Sequence, residues 1–157
     1  MEILQSDEIA PCLTEVSPHH IAVAYIGCDW EEFIKHEGLE EIILSPTIGS
    51  NPDAIEQIAE KISWDRVLFL DNLHAKIYIG KDSAIIGSSN LSRNGLGVSE
   101  GLEECAVNIT EDKEIGKITA YYGKLRELAH KAYPTYEKKL QRLSKLKTQC
   151  IKLSVYQ

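Results

Sequence analysis

Three short apolar runs constrain this chain most: Ile21-Ala-Val-Ala-Tyr-Ile26, Glu41-Ile-Ile-Leu-Ser45 and Arg66-Val-Leu-Phe-Leu-Asp71. Each is too short for a stable helix and lacks the polar alternation of a half-exposed strand. Such runs predict strands covered on both faces. The intervals between them carry helix signals. Asp29 is a candidate N-cap before Trp30–Glu37, with acids in the first turn and Gly38 at the end. Asn51 precedes Pro52, and Ile55, Ile58, Ala59 and Ile62 form an apolar stripe behind it. The β-α-β-α-β order predicts an α/β fold, a mixed sheet with helices on both faces. Ligands of such sheets gather at the strand ends.

The stretch most loaded with chemistry follows, at residues 73–94. His74-Ala-Lys-Ile-Tyr-Ile79, the turn cluster Gly80-Lys-Asp-Ser83 and Ala84-Ile-Ile86 read as a strand hairpin. In extended chain alternate side chains share a face, so His74, Lys76 and Tyr78 should point one way. The return strand ends in Gly87-Ser88-Ser89-Asn90, where Ser88 and Asn90 share a face. Gly87 is expected to let a ligand approach the backbone. An imidazole, a fixed cation, a hydroxyl and an amide would then converge on one spot, a set that suits a phosphate.

His74-x-Lys76 followed by Gly87-Ser88-x-Asn90 resembles the signature of the phospholipase D superfamily, the HKD phosphodiesterases. It is most similar to the nuclease branch, including restriction-type nucleases that cut without a metal. The resembled pattern also has an Asp five residues after the Lys. Here Lys81 stands at that place, and Asp82 sits too close to Gly87. The order of strands and helices resembles a phospholipase D-like half-domain. By this resemblance His74 is the nucleophile and Lys76 binds the non-bridging oxygens, with Ser88 and Asn90 as hydrogen-bond donors. An acid on the following strand, Glu104 or alternatively Glu103, orients a histidine or tunes its protonation.

Neutral imidazole can attack phosphorus and form a phosphohistidine. A second group must then protonate the leaving oxygen and activate water. The chain has one copy of the motif, and His19, His20, His36 and His130 lack a matching lysine. The resemblance therefore implies a homodimer in which two copies of His74 meet across the axis. No cofactor or metal is implied. A restriction-type enzyme would need a separate DNA-recognition domain or subunit.

At 157 residues, residues 1–157 are expected to form one domain, with a basic helical segment from about residue 111. Net charge is −7, but it is unevenly spread: −12 over residues 1–65, −3 over 66–116 and +8 over 117–157. The basic tail has the electrostatic footprint of a partner for a phosphate backbone, or else of a solvated face or a tail paired with the acidic half. No apolar run reaches the ~18 residues of a membrane span. Met1–Glu8 has neither a basic nor an apolar leader segment, so no membrane association and a cytoplasmic location are expected. Cys12, Cys28, Cys105 and Cys150 are scattered and expected as buried reduced thiols.

Residues 1–19 predict a short helix or loop cover, and His19 and His20 exposed histidines leading into a strand. Leu91–Gly95 predicts a short helical turn, residues 95–101 a flexible substrate-facing loop, and Leu102–Ile109 a strand. Arg93 is expected on the surface. Glu111 to about Ala132 and Tyr136–Lys147 predict amphipathic helices, with 148–157 a short strand or frayed end. The expected activity is metal-independent DNA hydrolysis by a phospholipase D-type endonuclease. The alternatives are a phospholipase or phosphatidyl transferase, and a non-catalytic nucleic-acid-binding or dimerisation module.

Overall fold

A computed structural model describes residues 1–92, 95–96 and 102–156. The strands are β1 Glu2–Gln5, β2 His20–Val23, β3 Glu41–Leu44, β4 Val67–Phe69, β5 Lys76–Ile79, β6 Ala84–Gly87 and β7 Cys105–Ile109. The helices are α1 Ile9–Val16, α2 Pro52–Ile62, α3 Asp112–Ala132 and α4 Tyr136–Tyr156. The strands form one mixed sheet in the order β1-β7-β6-β5-β2-β3-β4. The pairs β2–β3 and β3–β4 are parallel; β2–β5, β5–β6, β6–β7 and β1–β7 are antiparallel.

The three apolar runs become the parallel strands β2, β3 and β4, whose members feed two cores. Ile21, Val23, Ile42, Leu44, Val67 and Phe69 face α1, α2 and α4, meeting Leu13, Ile55, Ile58, Leu143 and Leu146. Ala22, Ile43 and Leu68 face the other way, against Tyr122, Leu125 and Ala129 of α3. Strand alternation thus spends Ile21–Val23, Ile42–Leu44 and Val67–Phe69 on one core or the other, which is why they show no polar period. The fold class is the expected one, a mixed α/β sheet with helices on both faces. Asn51 caps α2 as its sequence predicts, its side chain accepting from the N–H groups of Asp53 and Ala54 at 2.8 and 3.4 Å.

Four expectations need correction. Residues 30–38 do not form a continuous helix; they make two 3₁₀ turns, Trp30–Glu32 and His36–Gly38, with Lys35 extended between them. So short a segment has little helical stability of its own. Seating Trp30, Ile34 and Leu39 in the core decides its path. Residues 2–5 are an edge strand, visible only through pairing with β7, since Leu4 alone of the four is buried. Residues 148–156 continue α4 rather than forming a strand or a frayed end. The cysteines are free, but Cys28 and Cys105 are exposed and Cys12 and Cys150 only half-buried.

The expected helical turn at Leu91–Gly95 and loop at 95–101 lie largely outside the described residues, as does Arg93. No helix among the described residues is long and apolar enough to cross a membrane.

Candidate functional site

Four strand ends meet at one edge of the sheet. Val23 at the end of β2 pairs with Lys76 at the start of β5, and the ladder runs one step further as Ala24 N–H donates to Ala75 O at 3.1 Å. His74 therefore sits just before β5 rather than within it. Gly87 at the end of β6 pairs with Ala106, and Ser88 N–H donates to Cys105 O at 3.1 Å. The start of β7 thus lies beside the end of β6.

Gly87 is required here for a different reason from the one its position suggests. A Cβ at Gly87 would lie 2.4 Å from Cys105 O and 2.6 Å from the Ala106 Cα. The glycine admits strand β7.

His74 is exposed and Lys76 is 9% exposed. The Lys76 Nζ donates to His74 O at 2.8 Å and lies 3.2 Å from Nδ1 and 3.3 Å from Nε2 of the same residue. An ammonium equidistant from both ring nitrogens is aligned with neither lone pair, and its firm bond is to the carbonyl. Burial pushes the Lys76 pKa below its ordinary value, while the negative charge of Glu104 pulls it back up.

Ser88 and Glu104 are in direct contact, the Ser88 hydroxyl donating to Glu104 Oε2. The same hydroxyl accepts from Cys105 N–H at 3.1 Å. Its one proton is thus committed to the carboxylate. The neighbouring acid faces elsewhere, since Glu103 Oε2 accepts from Ser6 Oγ at 2.8 Å, beside the edge strand β1. Adjacent residues leading into a strand point to opposite sides, and the β6–β7 register selects Glu104 for the inner one.

Asn90 is oriented by its surroundings. Tyr25 N–H donates to Asn90 Oδ1 at 3.1 Å, so the side-chain oxygen faces the backbone and the NH2 is left as the donating end. Leu91 N–H to Tyr25 O at 3.2 Å and Gly27 N–H to Leu91 O at 3.0 Å complete a clip between this turn and the end of β2.

Two residues outside the expected set hold the turn. One is Tyr25, through its backbone N–H. The other is Tyr78, which looks like a packing residue in sequence. Its ring is buried and its hydroxyl donates to Ser89 O at 2.8 Å, so it is a post behind Ser88–Asn90. Burial, reinforced by the Glu104 charge, pushes the Tyr78 phenol far above its ordinary pKa, so it stays a donor. The face shared by Lys76 and Tyr78 was the sequence signal for this role.

Asp82 is exposed at the hairpin turn, which joins the ends of β5 and β6 remote from Lys76 and Gly87. A cavity of about 570 Å³ borders the polar cluster, with Ala75, Lys76, Gly87 and Cys105 among its lining. From there it extends to where Ile77, Ile86 and Val107 meet Ile118 and Tyr121 of α3. Among the described residues one group has metal-ligand character, His19, His20 and Glu40, at the other end of β2.

The basic C-terminal helices are partly consumed by internal pairing. Arg126 Nε donates to both oxygens of buried Glu41, at 3.1 and 3.0 Å, and Tyr122 OH adds a third bond at 2.9 Å. Arg142 pairs with Asp71 at 3.5 Å, and Lys147 pairs with Glu56. Lys139 donates to Trp64 O at 2.7 Å, and burial lowers its pKa. Three of the ten basic residues in 117–157 thus pair with acids of the N-terminal half.

No family model and no curated protein matches the chain. Its fold is similar to that of NucT from Helicobacter pylori, with a TM-score of 0.62 at 20% identity over 80% of this chain and 97% of that one. It is also similar to TrmBL2, an archaeal chromatin protein whose structure shows a novel mode of DNA binding. There the TM-score is 0.54 at 14% identity, over 82% of this chain but only 53% of that one.

Proposed function

We propose that this chain is a metal-independent phosphodiesterase that hydrolyses DNA through a phosphohistidine, with residues 1–157 acting as one phospholipase D-type nuclease domain. The observation that carries this is the Lys76 ammonium held beside exposed His74 by a bond to the His74 carbonyl, with Glu104 close enough to shift the lysine's pKa. The fold likeness to NucT supports it.

In the first step a neutral ring nitrogen of His74 attacks phosphorus. The P–N bond forms as the P–O bond to the leaving oxygen breaks, and His74 of a second copy, as imidazolium, protonates that oxygen. In the second step the partner imidazole, now neutral, takes a proton from water. The water oxygen attacks phosphorus and the P–N bond breaks. The sum is diester plus water giving monoester plus alcohol. A single His74 cannot hold phosphorus and a transferable proton together, so the homodimer is part of the proposal.

Lys76 and the NH2 of Asn90 stabilise the non-bridging oxygens as charge builds. Ser88 acts mainly through Glu104, which its hydroxyl holds in place. Glu104 in turn keeps Lys76 charged against its burial.

The test is cleavage of plasmid and single-stranded DNA in excess EDTA by the wild type and His74→Ala. Cleavage by the wild type alone, with phosphate trapped on histidine, is expected. No cleavage by a folded, dimeric wild type would refute the nuclease function. The likeness to TrmBL2 favours, as a second function, DNA binding without turnover. Retention of DNA by an inactive wild type would select it, and turnover of phospholipid vesicles instead would select a lipid substrate.

A further inference from the structure

We propose that His19, His20 and Glu40 form a binding site for one divalent transition-metal ion of the zinc class, at the pole of the sheet opposite His74. Their donor atoms lie within 4.8 Å of one another. The Nδ1 atoms of His19 and His20 are 2.5 Å apart, and Glu40 Oε2 lies 3.8 Å from the His20 Nδ1. The two rings stand edge to face, at 88° with centroids 4.7 Å apart.

Consecutive residues of an extended chain normally point to opposite faces, so two facing rings need a cause. His19 lies just before β2, and its backbone is held on both sides. Its N–H donates to Ile79 O of β5 at 2.8 Å, and its C=O accepts from Glu40 N at 2.8 Å and Glu41 N at 3.2 Å. Those bonds join the start of β2 to the end of β5 and the start of β3. The same bonds that fix His19 bring Glu40 alongside it.

Zinc binds imidazole nitrogen at about 2.0–2.1 Å and carboxylate oxygen at about 2.0–2.2 Å, so tetrahedral donor atoms sit roughly 3.3 Å apart. The observed 2.5 and 3.8 Å separations bracket that value. Each donor atom needs to move by less than about 1 Å to reach it. The long Glu40 side chain is 69% exposed and can supply most of the adjustment. Two imidazoles and one carboxylate suit zinc, cobalt, nickel or copper rather than magnesium or calcium. Water completes the fourth position.

The surroundings also suit a cation. Glu40 and Glu41 face His20 from the start of β3, and Tyr122 and Arg126 face it from α3. Arg126 is already bonded to Glu41. The His20 ring packs edge-on against Tyr122 with centroids 5.2 Å apart, which fixes its orientation.

An ion here would clamp the start of β2 to the approach to β3. His20 is three residues along β2 from Val23, the partner of Lys76. That is about 10 Å at the usual strand rise. The ion is therefore structural, and its removal by EDTA leaves the His74 chemistry in place.

The test uses the full chain, stripped with EDTA and dialysed, then titrated with cobalt(II) chloride. One cobalt per chain is expected, with ligand-field absorption of a low-coordinate site, no thiolate charge-transfer band and displacement by zinc chloride. Zinc should also raise the Tm of the wild type. His19→Ala and Glu40→Ala should each weaken cobalt binding by more than about ten-fold and remove the zinc-dependent Tm rise. His74→Ala should bind cobalt as the wild type does. Absence of cobalt binding by the folded wild type overturns the proposal. So does a thiolate band, or undiminished binding in His19→Ala and Glu40→Ala. Glu40 is exposed enough that Glu40→Ala should fold even if His19→Ala does not.

Discussion

Asn90 offers a way to separate holding the turn from doing chemistry, because its two ends do different things. Its oxygen accepts the Tyr25 N–H at 3.1 Å, and its NH2 is assigned to the phosphate. Asn90→Asp keeps an oxygen for Tyr25 but replaces the donor with a negative charge. Because the bond to the Tyr25 N–H is kept, folding stability should change by less than about 1 kcal/mol. Catalysis should suffer much more. A carboxylate about 4 Å from the phosphate, at an effective dielectric of about 20, adds roughly 4 kcal/mol of repulsion. That is on the order of a thousand-fold in rate.

Asn90→Leu removes both ends. It leaves the half-buried Tyr25 N–H without its acceptor and should cost about 1–3 kcal/mol of stability. The neighbouring bonds of Leu91 N–H to Tyr25 O and Gly27 N–H to Leu91 O keep the damage local. Urea unfolding midpoints, read beside single-turnover cleavage in EDTA, test both halves. If Asn90→Asp is stable and cuts within tenfold of the wild type, the NH2 does not meet the phosphate. If Asn90→Leu is as stable as the wild type, the Tyr25 clip does not hold the turn.

Glu104→Gln should shift the alkaline limb of the cleavage profile to lower pH. Burial already lowers the Lys76 pKa from 10.5, so its ammonium is lost earlier than an ordinary lysine's as pH rises, and Glu104 opposes that loss. The unfolded chain binds this proton more tightly, so the stability cost of burying it is full below the folded pKa and fades as pH rises towards 10.5. An unmoved limb in Glu104→Gln would remove Lys76 as the titrating group. Gly87→Ala places a Cβ 2.4 Å from Cys105 O, a backbone atom that cannot give way without parting β6 from β7. A loss of about 1–3 kcal/mol is expected in thermal unfolding, and an unchanged Tm would contradict the packing role. Tyr78→Phe leaves Ser89 O without its buried donor and should cost about 1–3 kcal/mol. As Tyr78 only positions the turn, cleavage by the folded variant should fall while its alkaline limb stays in place.

The sequence by itself determined the central elements and offered residues that could act. Continuous apolar runs produced β2, β3 and β4 because a strand covered on both faces has no polar side to show. Asn51-Pro52 and the stripe behind them marked α2, and the turn at Gly80–Ser83 marked the β5–β6 hairpin. His74, Lys76, Ser88 and Asn90 stood out through strand parity together with the resemblance of their spacing to the phospholipase D signature.

Tertiary structure decided what each group faces. Glu103 and Glu104 are chemically alike and adjacent. Only pairing of β7 with β6 on one side and β1 on the other turns Glu104 to Ser88 and Glu103 to Ser6. Ser88 reads as a free donor until its hydroxyl is found donating to Glu104. The +8 tail reads alike as a phosphate footprint or as a partner of the acidic half until three of its ten cations, Arg126, Arg142 and Lys147, are found on Glu41, Asp71 and Glu56. His19 and His20 read as histidines leading into a strand until β3 brings Glu40 beside them. Local spacing specifies which way a side chain leaves its own element. The partner waiting there comes from a segment tens of residues away, and strand register decides which one it is.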